Sequence, residues 1–184
     1  MADSIQVRQS DGIVVLGKRG SGKTTLVRYL INSMPNYRFV IIDVVGNLGQ
    51  FKNSRNVEYH LINPHAENRI DSICGSAMKA GNCMVILDEA DRLEYTTNLS
   101  DLLNVGRNYG VGYMATARRT ANIHKDYLAN QRHAFVFKHT YPRDVKVLTE
   151  WLDIDERVFR HLEQYKTLYF CDDELKMKFT ASET

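Results

Sequence analysis

The sequence is poor in proline, cysteine and long apolar runs. It has three prolines in 184 residues, no Gly/Ser-rich linker, no internal repeat and no low-complexity stretch, so one globular domain over residues 1–184 is expected. The three cysteines, Cys74, Cys83 and Cys171, form no CxxC pair. The missing CxxC argues against structural zinc, and the odd number and irregular spacing suggest reduced thiols in a cytosol-like compartment. No apolar stretch approaches the roughly 20 residues of a membrane span. The opening MADSIQVRQSDG lacks the basic-then-apolar order of a signal peptide, so a non-secreted protein without an integral membrane segment is expected. The apolar share is ordinary at 43%, and 24 basic against 22 acidic side chains leave a net charge of +2; the two together exclude disorder as the main state.

Near-neutrality hides an uneven distribution. Residues 111–150 carry seven basic and three acidic side chains, whereas 151–184 carry five and eight. The basic block, Arg118, Arg119, Lys125, Arg132, Lys138, Arg143 and Lys146, reads either as a solvated face or as a track for nucleic acid. Lys52 and Arg55 lie in a less regular segment and are further candidates for a DNA-facing loop.

Short apolar runs at 12–17, 39–43, 83–88, 111–116, 134–139 and 167–172 read as buried strands, with a weaker strand at 57–63 and an alternating one at 175–179. Helical spacing appears at 22–33, 70–80, 98–108, 122–130, 143–152 and 155–164, and Pro35 ends the first of these helices. Buried strands alternating with helices predict an α/β fold with a mainly parallel sheet covered on both faces.

The strongest motif is GKRGSGKT at 17–24, which fits G-x-x-x-x-G-K-[ST] between an apolar strand and an amphipathic helix. Glycines let successive N–H groups curl toward phosphate oxygens, and a helix N-terminus adds partial positive charge at the same place. Gly17, Lys18, Arg19, Gly20, Ser21, Gly22, Lys23, Thr24 and Thr25 are therefore candidate ATP-binding residues. Lys23 would reach the β- and γ-phosphates and Thr24 would hold Mg²⁺; Lys18 and Arg19 read as facing solvent or a neighbouring subunit.

MVILDEAD at 84–91 places Asp88 and Glu89 at a strand end. Asp88 is the expected second Mg²⁺ ligand, and Glu89 either polarises the attacking water or merely caps the following helix. The letters Asp88 to Asp91 also spell a helicase motif, but such helicases close their site between two joined lobes and this chain has room for one. Asp91 is then expected to be a surface residue. Asp43, at the end of the second strand, reads equally as a turn residue or as a partner of the phosphate loop. His133 and His139 read as ordinary strand-edge residues, Trp151 as core or interface packing, and Tyr109 and Tyr113 as packing a subunit interface or stacking on adenine.

Residues 106–123, GRNYGVGYMATARRTANI, run from a Gly-Arg helix end through an apolar strand to Thr116 and the pair Arg118-Arg119. With the phosphate loop and acidic strand before it, and Asn130-Gln131-Arg132, TYPRDVKVLTEW and LEQYKTLYFCDDELKMKF after it, nearly the whole chain resembles the HerA/FtsK superfamily of DNA-translocating ATPases, most of all its small viral genome-packaging members. The resemblance implies a RecA-like P-loop domain with a C-terminal β-hairpin, and a homo-oligomeric ring, pentamer or hexamer, acting on double-stranded DNA with a capsid or portal partner. It implies a site in the infected host's cytoplasm or on the assembling virion. It further implies that Arg107 acts on a neighbour's ATP, with Arg118 or Arg119 as the alternatives. One departure stands out: the family's usual sensor Gln is replaced by Arg118, which could contact the γ-phosphate, the next subunit or DNA. A virus assembly or export ATPase of the same superfamily, a soluble nucleotide switch and a kinase are the alternative functions. Glu89, and the lack of an Arg-rich lid between two helices, argue against a kinase.

Overall fold

The structure is a computed structural model describing residues 5–172 and 174–180. Eight strands form one sheet: β1 (Gly12–Leu16), β2 (Phe39–Asp43), β3 (Val57–Leu61), β4 (Cys83–Leu87), β5 (Val111–Ala117), β6 (His133–Phe137), β7 (Lys166–Cys171) and β8 (Glu174–Thr180). Their spatial order is β3-β2-β4-β5-β1-β6-β7-β8. The first six are parallel, and β6, β7 and β8 pair antiparallel, the last two as the expected C-terminal hairpin.

The continuous apolar runs are explained by burial on both faces. Alternate residues of each central strand point to opposite sides. Ile13, Val15, Phe39, Ile41, Met84, Ile86, Met114 and Phe135 pack against Leu26, Val27, Leu30 and Ile31 of α1 (Lys23–Ser33). Val14, Leu16, Val40, Ile42, Val85, Leu87, Ala115 and Val136 pack on the other side. There they meet α2 (Glu67–Ala80), α3 (Thr97–Val105), α4 (Lys125–Ala129), α5 (Pro142–Leu152) and α6 (Glu156–His161). Trp151 packs partly buried against this second cluster.

Several local expectations need correction. The fourth helix spans only Lys125–Ala129, and a 3-10 turn at Gly106–Tyr109, separate from α3, precedes β5. His133 and His139 are not edge residues; each is 1% exposed. His133 is the first residue of β6 and His139 follows its end, where the strand lies between β1 and β7, and each ring finds polar partners there. His133 Nε2 donates to Asp11 Oδ2 at 3.0 Å, and its Nδ1 meets the Tyr169 hydroxyl at 2.8 Å. Tyr113 is 2% exposed and belongs to the core, its hydroxyl donating to the Tyr127 carbonyl at 2.8 Å.

His139 carries a pH prediction. Its Nδ1 lies 2.8 Å from the Phe137 carbonyl, which can only accept, so Nδ1 bears the proton and Nε2 accepts from Thr120 Oγ1 at 3.1 Å. Burial pushes the imidazole down to about 4 from 6.5. Between those values the unfolded chain binds a proton that the folded chain refuses. The contribution is therefore fully present above pH 6.5 and is lost as pH falls to about 4, amounting to about 3 kcal/mol. Denaturant unfolding at pH 7 and pH 4 measures it. His139→Asn, which keeps a donor for the Phe137 carbonyl, should lose about 3 kcal/mol less than wild type over that range. Equal losses would show that His139 is not the titrating group.

Candidate active site

The chain leaves the carboxyl end of β1 into the 17–24 loop, between β5 and β6. Gly17 N–H donates to the Ala117 carbonyl at 3.1 Å and Lys18 N–H to the Lys138 carbonyl at 3.4 Å, so both neighbouring strands pin the loop. A Cβ on Gly17 would stand 2.6 Å from Phe137 Cβ and 2.7 Å from Ser21 Oγ. Gly22, at φ 108, sits at the N-cap of α1, in a conformation that side chains rarely adopt.

Lys23 is 9% exposed, and its ammonium donates to the Gly17 carbonyl at 2.6 Å and the Lys18 carbonyl at 3.0 Å. Burial pushes it down to about 8, against the pull of Asp91, Asp88 and Glu89. Ser21 Oγ is buried with no hydrogen-bond partner. A glycine-tight loop with a poised ammonium and an orphaned hydroxyl fits a phosphate chain. Thr24 is half-buried and Thr25 exposed at the start of α1; Lys18, Arg19 and Gly20 are exposed.

Adjacent β4 and β5 bring their ends together above this loop. Thr116 Oγ1 donates to Asp88 Oδ1 at 2.8 Å and accepts from Glu89 N–H at 2.9 Å, and Asn47 Nδ2 lies 3.5 Å from Asp88 Oδ2. Asp88 is 3% exposed, and burial pushes its carboxyl above the usual range. A buried carboxylate with no ion pair among the described residues fits a hard divalent ion, as does the Thr24 hydroxyl.

Glu89 stands in the left-handed region at φ 53, and its side chain does not cap the turn that follows. Its Oε2 takes Arg92 Nη1 at 2.6 Å and Arg118 Nη2 at 3.2 Å, leaving Oε1 free of both arginines.

The neighbouring arginine is differently employed. Arg119 Nε lies 3.0 Å from Asp144 Oδ2, and its guanidinium stacks 3.9 Å above the Tyr141 ring. Arg107 lies at the other end of the sheet, in the turn before β5. It is exposed and has no ion pair or hydrogen bond of its side chain among the described residues. Seven residues of β5 separate that end from the phosphate loop, about 20 Å of strand.

Residues 13–136 match the sequence model of the ATPase family associated with various cellular activities (AAA). The chain belongs to that family. The ATPase also shares its fold with solved structures. The genome packaging NTPase B204 of Sulfolobus turreted icosahedral virus 2, in complex with ATP-gammaS, superposes with a TM-score of 0.80 at 16% identity, over 95% of this chain and 100% of that one. B204 of Sulfolobus turreted icosahedral virus gives 0.79 at 17%, over 91% and 97%. EssC (ATPases 2 and 3) of Geobacillus thermodenitrificans gives 0.72 at 14%, over 98% of this chain and 41% of that one. No curated protein matches in sequence. The fold is thus the expected RecA-like one, and the chain is an ATP hydrolase.

Some residues of the ATPase's site escape a reading of the sequence alone. Asp91 is half-buried and engaged rather than a free surface residue: its two carboxylate oxygens accept the backbone N–H groups of Arg118 and Arg119, each at 3.2 Å, and burial pushes its carboxyl up. Thr116 and Arg92 gain their contacts only when β4 and β5 pair and the turn at Ala90–Arg92 closes. Asp43 is a turn residue. It accepts from Val45, Gly46 and Leu48 N–H and from the Tyr59 hydroxyl, and touches the phosphate loop through none of these bonds. Among the described residues no helix is long and apolar enough to cross a membrane.

Proposed function

We propose that the chain is a single RecA-like ATPase domain that translocates double-stranded DNA as a homo-oligomeric ring in viral genome packaging, within the infected host or on the assembling virion. The observation that carries this reading is the opposition of two half-sites on one sheet. The phosphate loop, Asp88 and Glu89 stand at the carboxyl ends of the strands, and an exposed, unpaired Arg107 stands beyond the amino end of β5. An arginine about 20 Å from its own phosphate loop can complete only another copy's site. Repeating that head-to-tail contact generates a ring when the rotation closes. Likeness to B204, named a genome packaging NTPase, supports the same reading.

Lys23 and the amides of residues 17–25 bind the phosphates, and Thr24 and Asp88 would hold Mg²⁺. When bound, the ion neutralises charge on the β- and γ-phosphate oxygens. Glu89 Oε1, the oxygen left free by Arg92 and Arg118, orients the attacking water and takes its proton. The water oxygen bonds to the γ-phosphorus as the bond to the bridging oxygen of ADP breaks. Arg107 of the adjacent subunit stabilises charge on the transferring phosphoryl group. Arg118, through its contact with Glu89, ties the water-orienting residue to the strand end that carries Thr116. Lys125 and Arg143 are exposed, as are Lys52 and Arg55, and are available to DNA phosphates without base preference; Lys146 is exposed but lies 3.7 Å from Glu150 Oε1. Arg132 is instead paired with Asp11 and Asp172.

A second reading, an export motor of the same superfamily, is favoured by the likeness in fold to the cytoplasmic domain of the Thermomonospora curvata Type VII secretion ATPase EccC. One experiment separates the two: ATP hydrolysis per subunit, with and without double-stranded DNA, over a range of protein concentrations. Turnover should rise with concentration as rings form and rise again with DNA. Turnover indifferent to DNA at every concentration would sink the translocase reading.

A further inference from the structure

We infer that Arg8 is a second arginine acting on the neighbouring subunit's nucleotide, so that one subunit offers its neighbour a two-arginine cavity rather than a single finger. The inference rests on the ring reading above. A cavity of about 450 Å³ opens at the amino ends of β1, β5 and β6. Gly12, Val111 and Arg132 line it, which places it at the end of the sheet away from the phosphate loop. The charged residues on its wall are Arg8, Arg107, Arg132, Asp11 and Asp172.

Their partners differ. Arg132 is ion-paired with the two carboxylates, its Nη1 3.6 Å from Asp11 Oδ1 and its Nε 3.6 Å from Asp172 Oδ1. Asp11 is further occupied by His133 and by the backbone N–H of Arg8. Arg8 and Arg107 are left: neither guanidinium has an ion pair or hydrogen bond among the described residues. Yet the Arg8 backbone is not loose. Its N–H donates to Asp11 Oδ2 at 2.8 Å and its carbonyl accepts from Asp11 N–H at 3.0 Å, closing a turn that holds the residue at the cavity wall.

Two unspent guanidinium forks on a polar cavity call for an occupant rich in acceptor oxygens and negative charge, and phosphate is the group they match best. The volume lies in the range of ligand sites and exceeds what a lone ion needs. The phosphate-bearing surface that meets this end of the sheet in a head-to-tail ring is the loaded phosphate loop of the next copy. Arg8 then adds a second fork to the phosphate chain that Arg107 reaches.

The test uses mixed rings. Arg8→Ala alone should lower turnover about tenfold, and Arg8→Lys, which keeps charge but not the fork, should fall between it and wild type. Arg8→Ala subunits are then mixed equally with Glu89→Gln subunits, with co-purification of two tags confirming mixed rings. Action on the neighbour predicts about a quarter of wild-type turnover, because about one junction in four pairs an intact Glu89 with an intact Arg8. Action within its own subunit predicts about a twentieth, which would overturn the inference, as would wild-type turnover of Arg8→Ala. An equal mixture of Arg107→Ala with Glu89→Gln serves as the reference. Recovery there without recovery for Arg8 removes this inference and leaves the ring reading standing; no recovery in either, in mixed rings confirmed by both tags, removes the action of both arginines on the neighbour, and failure of the two tags to co-purify removes the ring reading itself.

Discussion

Replacing Arg107 by alanine should lower ATP turnover by roughly 10³–10⁵-fold while leaving folding and nucleotide affinity nearly unchanged. The side chain is exposed, so its loss breaks no ion pair or hydrogen bond among the described residues. A surface arginine without a partner contributes at most about 1 kcal/mol to stability. A finger completing a phosphoryl-transfer site does its work in the transition state alone. The effect therefore falls on kcat, and thermal melting should not move. Equal mixing with Glu89→Gln subunits should restore about a quarter of wild-type turnover, since each variant lacks a different half of a junction. An Arg107→Ala enzyme within about twofold of wild type would be an enzyme whose finger lies elsewhere.

Glu89→Gln should lower turnover by about 10²–10⁴-fold with ATP still bound. Glutamine keeps the length of the side chain and can still accept from Arg92 and Arg118 at the position of Oε2, where the structure holds it. It loses the ability to take a proton. Single-turnover hydrolysis measured beside equilibrium binding of an ATP analogue separates the two steps. Loss of binding in parallel with turnover would make Glu89 a residue that shapes the loop. Its left-handed backbone supports a positioned side chain, because such a conformation in a non-glycine residue persists only where its surroundings hold it.

The sheet and its loop were legible because their signals are local. Four apolar residues in a row, Ile13 to Leu16, before GKRGSGKT announce a strand buried on both faces, and the loop's glycines follow from the backbone path around phosphate. The hairpin was legible in the alternation of residues 175–179. The burial of the histidines is not legible in the sequence, because a strand's apolar run does not tell whether the residues at its ends are covered by other elements. His139 meets Thr120 through its ring, and its backbone N–H donates to the Phe159 carbonyl of α6 at 3.1 Å. The engagement of Asp91 is hidden for the same reason: its partners lie 27 and 28 residues further along the chain.

The class of fold, the phosphate loop and the carboxylates at the end of β4 follow from local pattern, since each rests on neighbours within about ten residues. Tertiary structure alone decided how the arginines are employed. Arg118 and Arg119 are adjacent in sequence, yet one holds Glu89 and the other is bound to Asp144 and stacked on Tyr141. Arg107, Arg8 and Arg132 come from three separate segments, and only parallel pairing of β1 with β5 and β6 gathers them at one end of the sheet. A guanidinium is available to a ligand only when no carboxylate has already claimed it, and which carboxylates lie within reach depends on the packing of distant segments.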